Sequence, residues 1–241
     1  MQEWFKRQVF LLIMPRKIIV LSLGGSLIIP KEGFNLEFLQ GFKKLILDFL
    51  KKECRFIIVC GGGQTARNYQ KVAYDLGDLE TDDIDWIGIH STRLNAHLMR
   101  TIFRDVAHPA VIKDPTKKIK WTEKILIAAG WKPGWSTDYD AVKLAELYGA
   151  KTVINLSNTE YVYNKDPRKF SDAVKFEKIS WSDYRKIVGD VWEPGANWPF
   201  DPVASREAQK IGAKVVVMNG LNLKEVVKAI LNKPFKGTII T

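Results

Sequence analysis

Three glycine-bearing stretches hold the residues best suited to chemistry: Gly24-Gly25-Ser26, Gly61-Gly62-Gly63, and the longer Ala129-Gly130-Trp131-Lys132-Pro133-Gly134-Trp135-Ser136-Thr137. Without Cβ atoms, consecutive glycines let successive backbone N–H groups converge on one anion, and a helix beginning just beyond adds its positive end. One such loop is an ordinary tight turn. Three of them, at the carboxyl ends of predicted strands and leading toward helices, point to several bound phosphates. Arg67 follows Gly63 by four residues at a helix start, where a planar guanidinium folds back toward an anion on the loop. A surface ion pair is the plainer alternative for Arg67. Lys132, Ser136 and Thr137 offer further phosphate donors, while Trp131 and Trp135 either wrap a ligand or pack as a lid. Neither G-x-G-x-x-G nor G-x-x-x-x-G-K-[ST] occurs at these turns, so dinucleotide-binding and Walker-type readings lose their usual support.

The acidic and metal-ligating residues are less decisive. Asp201 precedes Pro202 at a predicted helix start, which suits an N-cap. Asp82, Asp83 and Asp85 read as a solvated helix start. His90 and His97 lie seven apart on one helix face, but with no third ligand they are assigned nothing, and no metal site is assigned anywhere. Cys54 and Cys60 match no zinc or C-x-x-C spacing and read as reduced, buried thiols of a cytoplasmic protein.

The elements that must position these loops alternate. Strand runs at Lys17 to Leu23, Phe56 to Cys60, Lys124 to Ala128, Thr152 to Leu156 and Val215 to Met218 are separated by helical periodicity. The predicted helices are Leu36 to Lys51, one from Thr65, Thr137 to Tyr148, Pro202 to Ile211 and Leu223 to Leu231. In the first, Leu39, Phe42, Ile46 and Phe49 share a face. Strands this apolar are buried on both sides, so the fold class is α/β: a three-layer αβα sandwich with a mostly parallel central sheet. Residues 1–16 read as an added arm and residues 17–241 as the folded unit, with a two-lobe division near Thr152 and a functional loop over Val191 to Pro202.

The 241 residues are 46% hydrophobic and 27% charged, which excludes disorder and collagen-like repeats. No apolar run is long enough to span a bilayer. A formal charge of +10 implies polyanionic partners, either nucleic acid or phosphorylated small molecules. Lys113, Lys117, Lys118 and Lys120 beside Trp121 form the densest basic cluster, but no nucleic-acid-binding signature accompanies it.

Taken in order and spacing, the motifs resemble the amino acid kinase family, and within it the archaeal-type UMP kinases, from Lys17 to Ile240. They are Leu23-Gly24-Gly25-Ser26, the Gly61 triplet with Ala66-Arg67, Ile87-Gly88-Ile89 with Thr92-Arg93-Leu94-Asn95-Ala96, Pro133-Gly134 with Ser136-Thr137, Val162-Tyr163 with Asp166-Pro167, and Asp201-Pro202. The resemblance implies phosphoryl transfer from ATP, with Mg²⁺, to UMP by a cytoplasmic homo-oligomer, hexameric in the family. It implies that Gly25, Ser26, Gly63 and Arg67 hold ATP phosphates, with Gly62 at the junction of the two nucleotides. Ser157, Asn158, Tyr163 and Asp166 would hold the adenosine half, in residues 152–241. Asp85 and the stretch Trp131, Lys132, Pro133, Gly134, Trp135, Ser136 and Thr137 would hold UMP, in residues 17–151. Asp201, Arg67 and Lys132 would act on the transferred group.

Such a transfer needs positioning and charge neutralisation, not a general base, which fits the absence of any nucleophile-base pair. Two positions depart from the family pattern. Ser22 stands where many members carry lysine, leaving Lys132, Lys165 and Lys17 as candidate replacements, and Thr159-Glu160-Tyr161 replaces a hydrophobic-Asp-Gly segment. These departures keep two other readings open: a non-catalytic, storage-like nucleotide or oxyanion binder of the same fold, and a basic RNA-associated protein.

Overall fold

β-Branched runs that bury both faces, alternating with helices that bury one, build the architecture. The structure is a computed structural model and describes residues 17–191 and 198–241. The arm over residues 1–16 and most of the loop expected before Pro202 lie outside the described residues. In chain order the elements are β1 (Ile18–Leu23), α1 (Gly25–Ile28), α2 (Leu36–Leu50), β2 (Arg55–Cys60), α3 (Gly63–Leu76), α4 (Thr81–Ile102), β3 (Ile125–Ala128), α5 (Thr137–Tyr148), β4 (Thr152–Ser157), β5 (Val162–Tyr163), β6 (Lys175–Phe176), β7 (Lys178–Ile179), α6 (Trp181–Val188), α7 (Pro202–Lys210), β8 (Lys214–Asn219), α8 (Leu223–Ile230) and β9 (Thr238–Ile240).

Among the described residues, one seven-stranded sheet has the order β3-β2-β1-β4-β8-β9-β7, and β5 and β6 form a separate hairpin. All neighbours in the large sheet are parallel except β8 and β9. Alternate residues of each strand feed two apolar layers. Leu21, Ile58, Ile127, Ile154 and Val216 face α2, α4 and α8, whereas Val20, Ile57, Leu126, Val153 and Val215 face α5, α6 and α7. Leu39, Phe42, Ile46 and Phe49 are all buried, as their spacing predicts. Each such side chain contributes about 1.5–3 kcal/mol on leaving water.

The αβα sandwich expected from the sequence is therefore what forms. Several predicted boundaries shift by a residue or two, most usefully at α3, which begins on Gly63 itself and not at Thr65. The short elements β5, β6, β7, β9 and α6 carry too little periodicity to be read in advance. Chain order reverses beside β1, which pairs with β2 on one side and β4 on the other. Ligands of open α/β sheets bind at such a switch point, beyond the carboxyl ends of the strands.

Candidate functional site

The loops after β1 and β2 touch. An added Cβ on Gly25 would lie 2.0 Å from the Gly63 nitrogen, and one on Gly63 would lie 2.5 Å from the Gly25 carbonyl oxygen. Gly63 also has φ of +67°, a left-handed conformation that favours glycine. Two backbones this close leave no room for side chains. Asn95, buried on α4, locks the second loop by donating from Nδ2 to the Gly61 carbonyl at 2.8 Å and to the Gly62 carbonyl at 3.0 Å. Gly24 N–H donates to Leu156 O at 2.8 Å, tying the first loop to the end of β4.

A cleft of about 330 Å³ opens above these loops, walled by Gly25, Ser26, Gly62, Gly63, Arg67, Asp85, Trp135, Ser136, Thr137, Ser157 and Asn158. A second cavity of about 510 Å³ adjoins it and includes Tyr163, Lys165 and Asp166. Asn158, Thr159, Trp198 and Pro199 line both. The glycine loops thus meet one end of a continuous trough, and the segment over residues 158–168 forms the other.

Several predicted residues stand behind the walls or outside them. Asp201 caps α7, its Oδ1 accepting from Val203 N–H at 2.8 Å and Ala204 N–H at 2.9 Å. Its Oδ2 accepts from the Ser136 hydroxyl, so Asp201 sits one hydrogen bond back from the cleft. Lys132 is exposed, with Nζ 4.3 Å from the Trp131 ring centroid, and Trp131, Lys132, Pro133 and Gly134 are absent from the wall. Of the three candidates to replace the family lysine, Lys17 is excluded by position: it precedes β1 at the far end of the sheet and donates to Ile230 O. Lys165 lines the second cavity and pairs with Asp172 at 2.6 Å.

The position of the missing lysine is filled by a hydroxyl. Ser22 is buried and donates from Oγ to Asp138 Oδ1 at 2.7 Å, and Asn155 Nδ2 approaches the same oxygen at 3.4 Å. Asp138 also lines the cleft. Burial, and after it the neighbouring Asp201, pushes the Asp138 carboxyl up to about 7. Burial raises Asp201 as well. With no lysine beside it, Asp138 is held by neutral donors. Sequence reasoning missed Asp138 because an acidic residue in the first turn of a helix is expected simply for its favourable interaction with the helix dipole. Its only available signal was adjacency to Ser136 and Thr137.

The remaining acidic cluster divides. Asp82 and Asp83 are exposed in the first turn of α4, whereas Asp85 is buried and accepts the Gly134 N–H on Oδ2 at 2.7 Å. His90 and His97 are both exposed on α4. Among the described residues, no group of three or more His, Cys, Asp or Glu is placed to hold a metal.

Residues 17–219 match the amino acid kinase family. Uridylate kinase of Methanoculleus marisnigri is 33% identical over 229 residues, covering 93% of this chain and 95% of that protein. Uridylate kinase of Methanocaldococcus jannaschii is 34% identical over 230 residues, covering 92% and 98%. The crystal structure of uridylate kinase from Archaeoglobus fulgidus superposes with a TM-score of 0.75 at 30% identity, covering 93% of this chain and 100% of that one.

Proposed function

The chain belongs to the amino acid kinase family, and we propose that it is a UMP kinase, transferring the γ-phosphoryl of ATP to UMP in the cytoplasm to give ADP and UDP. The observation that carries this reading is the mutual contact of the Gly25 and Gly63 loops at the floor of a cleft that shares the wall residues Asn158, Thr159, Trp198 and Pro199 with a second cavity. Gly25, Ser26, Gly63 and Arg67 would take the ATP phosphates, with Gly62 at the junction. Ser157, Asn158, Tyr163 and Asp166 would take the adenosine half. Asp85, Trp135, Ser136 and Thr137 would face UMP, with Trp131, Lys132, Pro133 and Gly134 shaping that end from outside the wall. Asp201 would act indirectly, by orienting the Ser136 hydroxyl.

Mg²⁺ would arrive on the nucleotide phosphates, and Asp138, which like Asp85 lines the cleft, is a carboxylate that would contact it. When bound, the ion supplies positive charge against the crowded phosphate oxygens. The chain's own residues align the two phosphates and exclude water from between them. Homo-oligomerisation fits the surface: α3 exposes Tyr69, Val72 and Leu76 at helical spacing, and α4 exposes Trp86, His90 and Leu94 four residues apart.

The test is ADP release from MgATP with a panel of nucleoside monophosphates. UMP is expected to turn over fastest, ahead of CMP and AMP. Equal or undetectable rates with all of them reject the assignment.

A further inference from the structure

Trp131 opens the loop that would face UMP, and both polar groups of its backbone are held by side chains of charged type. Its N–H donates to Asp140 Oδ2 at 3.2 Å, and its carbonyl accepts from Arg93 Nη2 at 3.0 Å. Asp140 lies on α5 with no exposed surface, and the charged groups near it are the carboxylates of Asp201, Asp138 and Asp114. Arg93 lies on α4, its guanidinium carbon 5.5 Å from the Trp86 ring centroid.

Neither side chain is fully satisfied. Asp140 Oδ1 and Arg93 Nε are buried without a hydrogen-bond partner among the described residues. An orphaned polar atom costs stability. Local misfits of this kind persist where a site depends on them. The same loop is anchored twice more from α4: Thr92 Oγ1 accepts the Gly130 N–H at 2.8 Å, and Asp85 accepts that of Gly134. The loop's position is therefore imposed from outside, by α4 and α5.

We infer that Arg93 and Asp140 are positioning residues which grip the Trp131 peptide, one by its carbonyl and the other by its amide, and so set acceptor affinity without touching the acceptor. That the loop receives UMP rests on the proposed function; that these residues hold the loop does not. The two claims fail separately.

The experiment compares wild type with Arg93→Met, Arg93→Lys and Asp140→Val. Amide hydrogen exchange over residues 130–134 of the ligand-free protein is expected to accelerate about tenfold in the Met and Val variants. KM for UMP should rise about tenfold, while kcat and KM for ATP stay within about twofold. Arg93→Lys should recover part of both effects, because an ammonium still donates to a carbonyl. Asp140→Val removes the orphaned Oδ1 but also leaves the Trp131 N–H unpaired, so its melting point only verifies folding, and the rise in KM for UMP at constant kcat, with partial rescue by Arg93→Lys, is what a purely structural role would not produce. Unchanged loop exchange, or equal rises in both KM values, overturns the inference. Loss of oligomeric mass with normal loop exchange also overturns it, and makes Arg93 an interface residue. If wild type fails to phosphorylate UMP the proposed function falls, and the exchange measurement still decides whether Arg93 and Asp140 anchor the loop.

Discussion

At the end of the trough built from residues 61–63 and 130–137, backbone groups are tied to buried side chains: Gly61 and Gly62 to Asn95, Gly130 to Thr92, and Gly134 to Asp85. At the end built from residues 158–168, side chains pair largely with one another near solvent. Asp166 binds Arg168, Lys165 binds Asp172, and beside them Lys175 binds Glu177. A buried bond to backbone fixes position, because breaking it strands a polar group without water. An exposed ion pair fixes little, because water and salt replace it. The contrast implies that the end built on the glycine loops is the more preorganised and that the end proposed for adenosine adapts more to its ligand.

The most severe way to break the rigid end is Gly25→Ala. The new Cβ would meet the Gly63 backbone nitrogen at 2.0 Å, and a backbone atom cannot swing aside as a flexible side chain does. Both phosphate loops must separate. A misplacement of about an ångström costs roughly 100-fold in rate, and overpacking of this kind costs about 3 kcal/mol. Steady-state kinetics together with urea titration measure both. A variant with near-normal kcat would show that the contact between the loops is dispensable.

The same contrast explains what the sequence made legible. Glycine triplets, β-branched runs and amphipathic helices encode local geometry, so β1, β2, β3, β4 and β8, most of the covering helices and the three loops could be read directly. Asn95, Thr92, Asp138 and Asn155 could not be read from spacing alone, because each acts on a partner 30 or more residues away or across the sheet. The glycine missing at position 161 is a subtler case. Among the described residues, the non-glycine positions with positive φ are Glu53 and Asn232, so Tyr161 needs no left-handed backbone. It is buried, with Lys175 Nζ 4.4 Å from its ring centroid. The sequence change and the local backbone are mutually consistent, and the difference from the family lies in the cavity wall, not in strain.

A milder test probes the centre of the trough, where Ser22 stands in for lysine. The Asp138 carboxyl, ordinarily near 3.8, is pushed up to about 7, chiefly by burial. The folded protein therefore keeps a proton that the unfolded chain has already released between about pH 4 and 7. The stability this confers is full below about pH 4 and is lost as pH rises through 7. Asp138→Asn removes the titration. Wild type should match the variant at pH 4 and melt measurably lower at pH 8, each kcal/mol of lost stability lowering the melting point by about 3 °C in a chain of this size. Calorimetry of both proteins across that range measures the difference. A constant offset would show that Asp138 is ionised throughout, as a nearby cation would make it.

The smallest effect is expected from Asp172→Asn, which unpairs Lys165 at the adaptable end. The Asp172 side chain is 75% exposed and that of Lys165 33%, so their 2.6 Å contact lies in a screened environment. Exposed pairs contribute between zero and about 1 kcal/mol, and the freed ammonium remains at the cavity wall, able to meet a phosphate or water. Thermal stability should move by less than about 0.5 kcal/mol, and KM for ATP by less than about twofold. KM for UMP should not change, because none of the bonds that anchor residues 61–63 and 130–134 involves residue 172. A tenfold rise in KM for ATP would mean that Asp172 aims Lys165 at the nucleotide. Both ends would then be preorganised, and Lys165 would be the cation that compensates for Ser22.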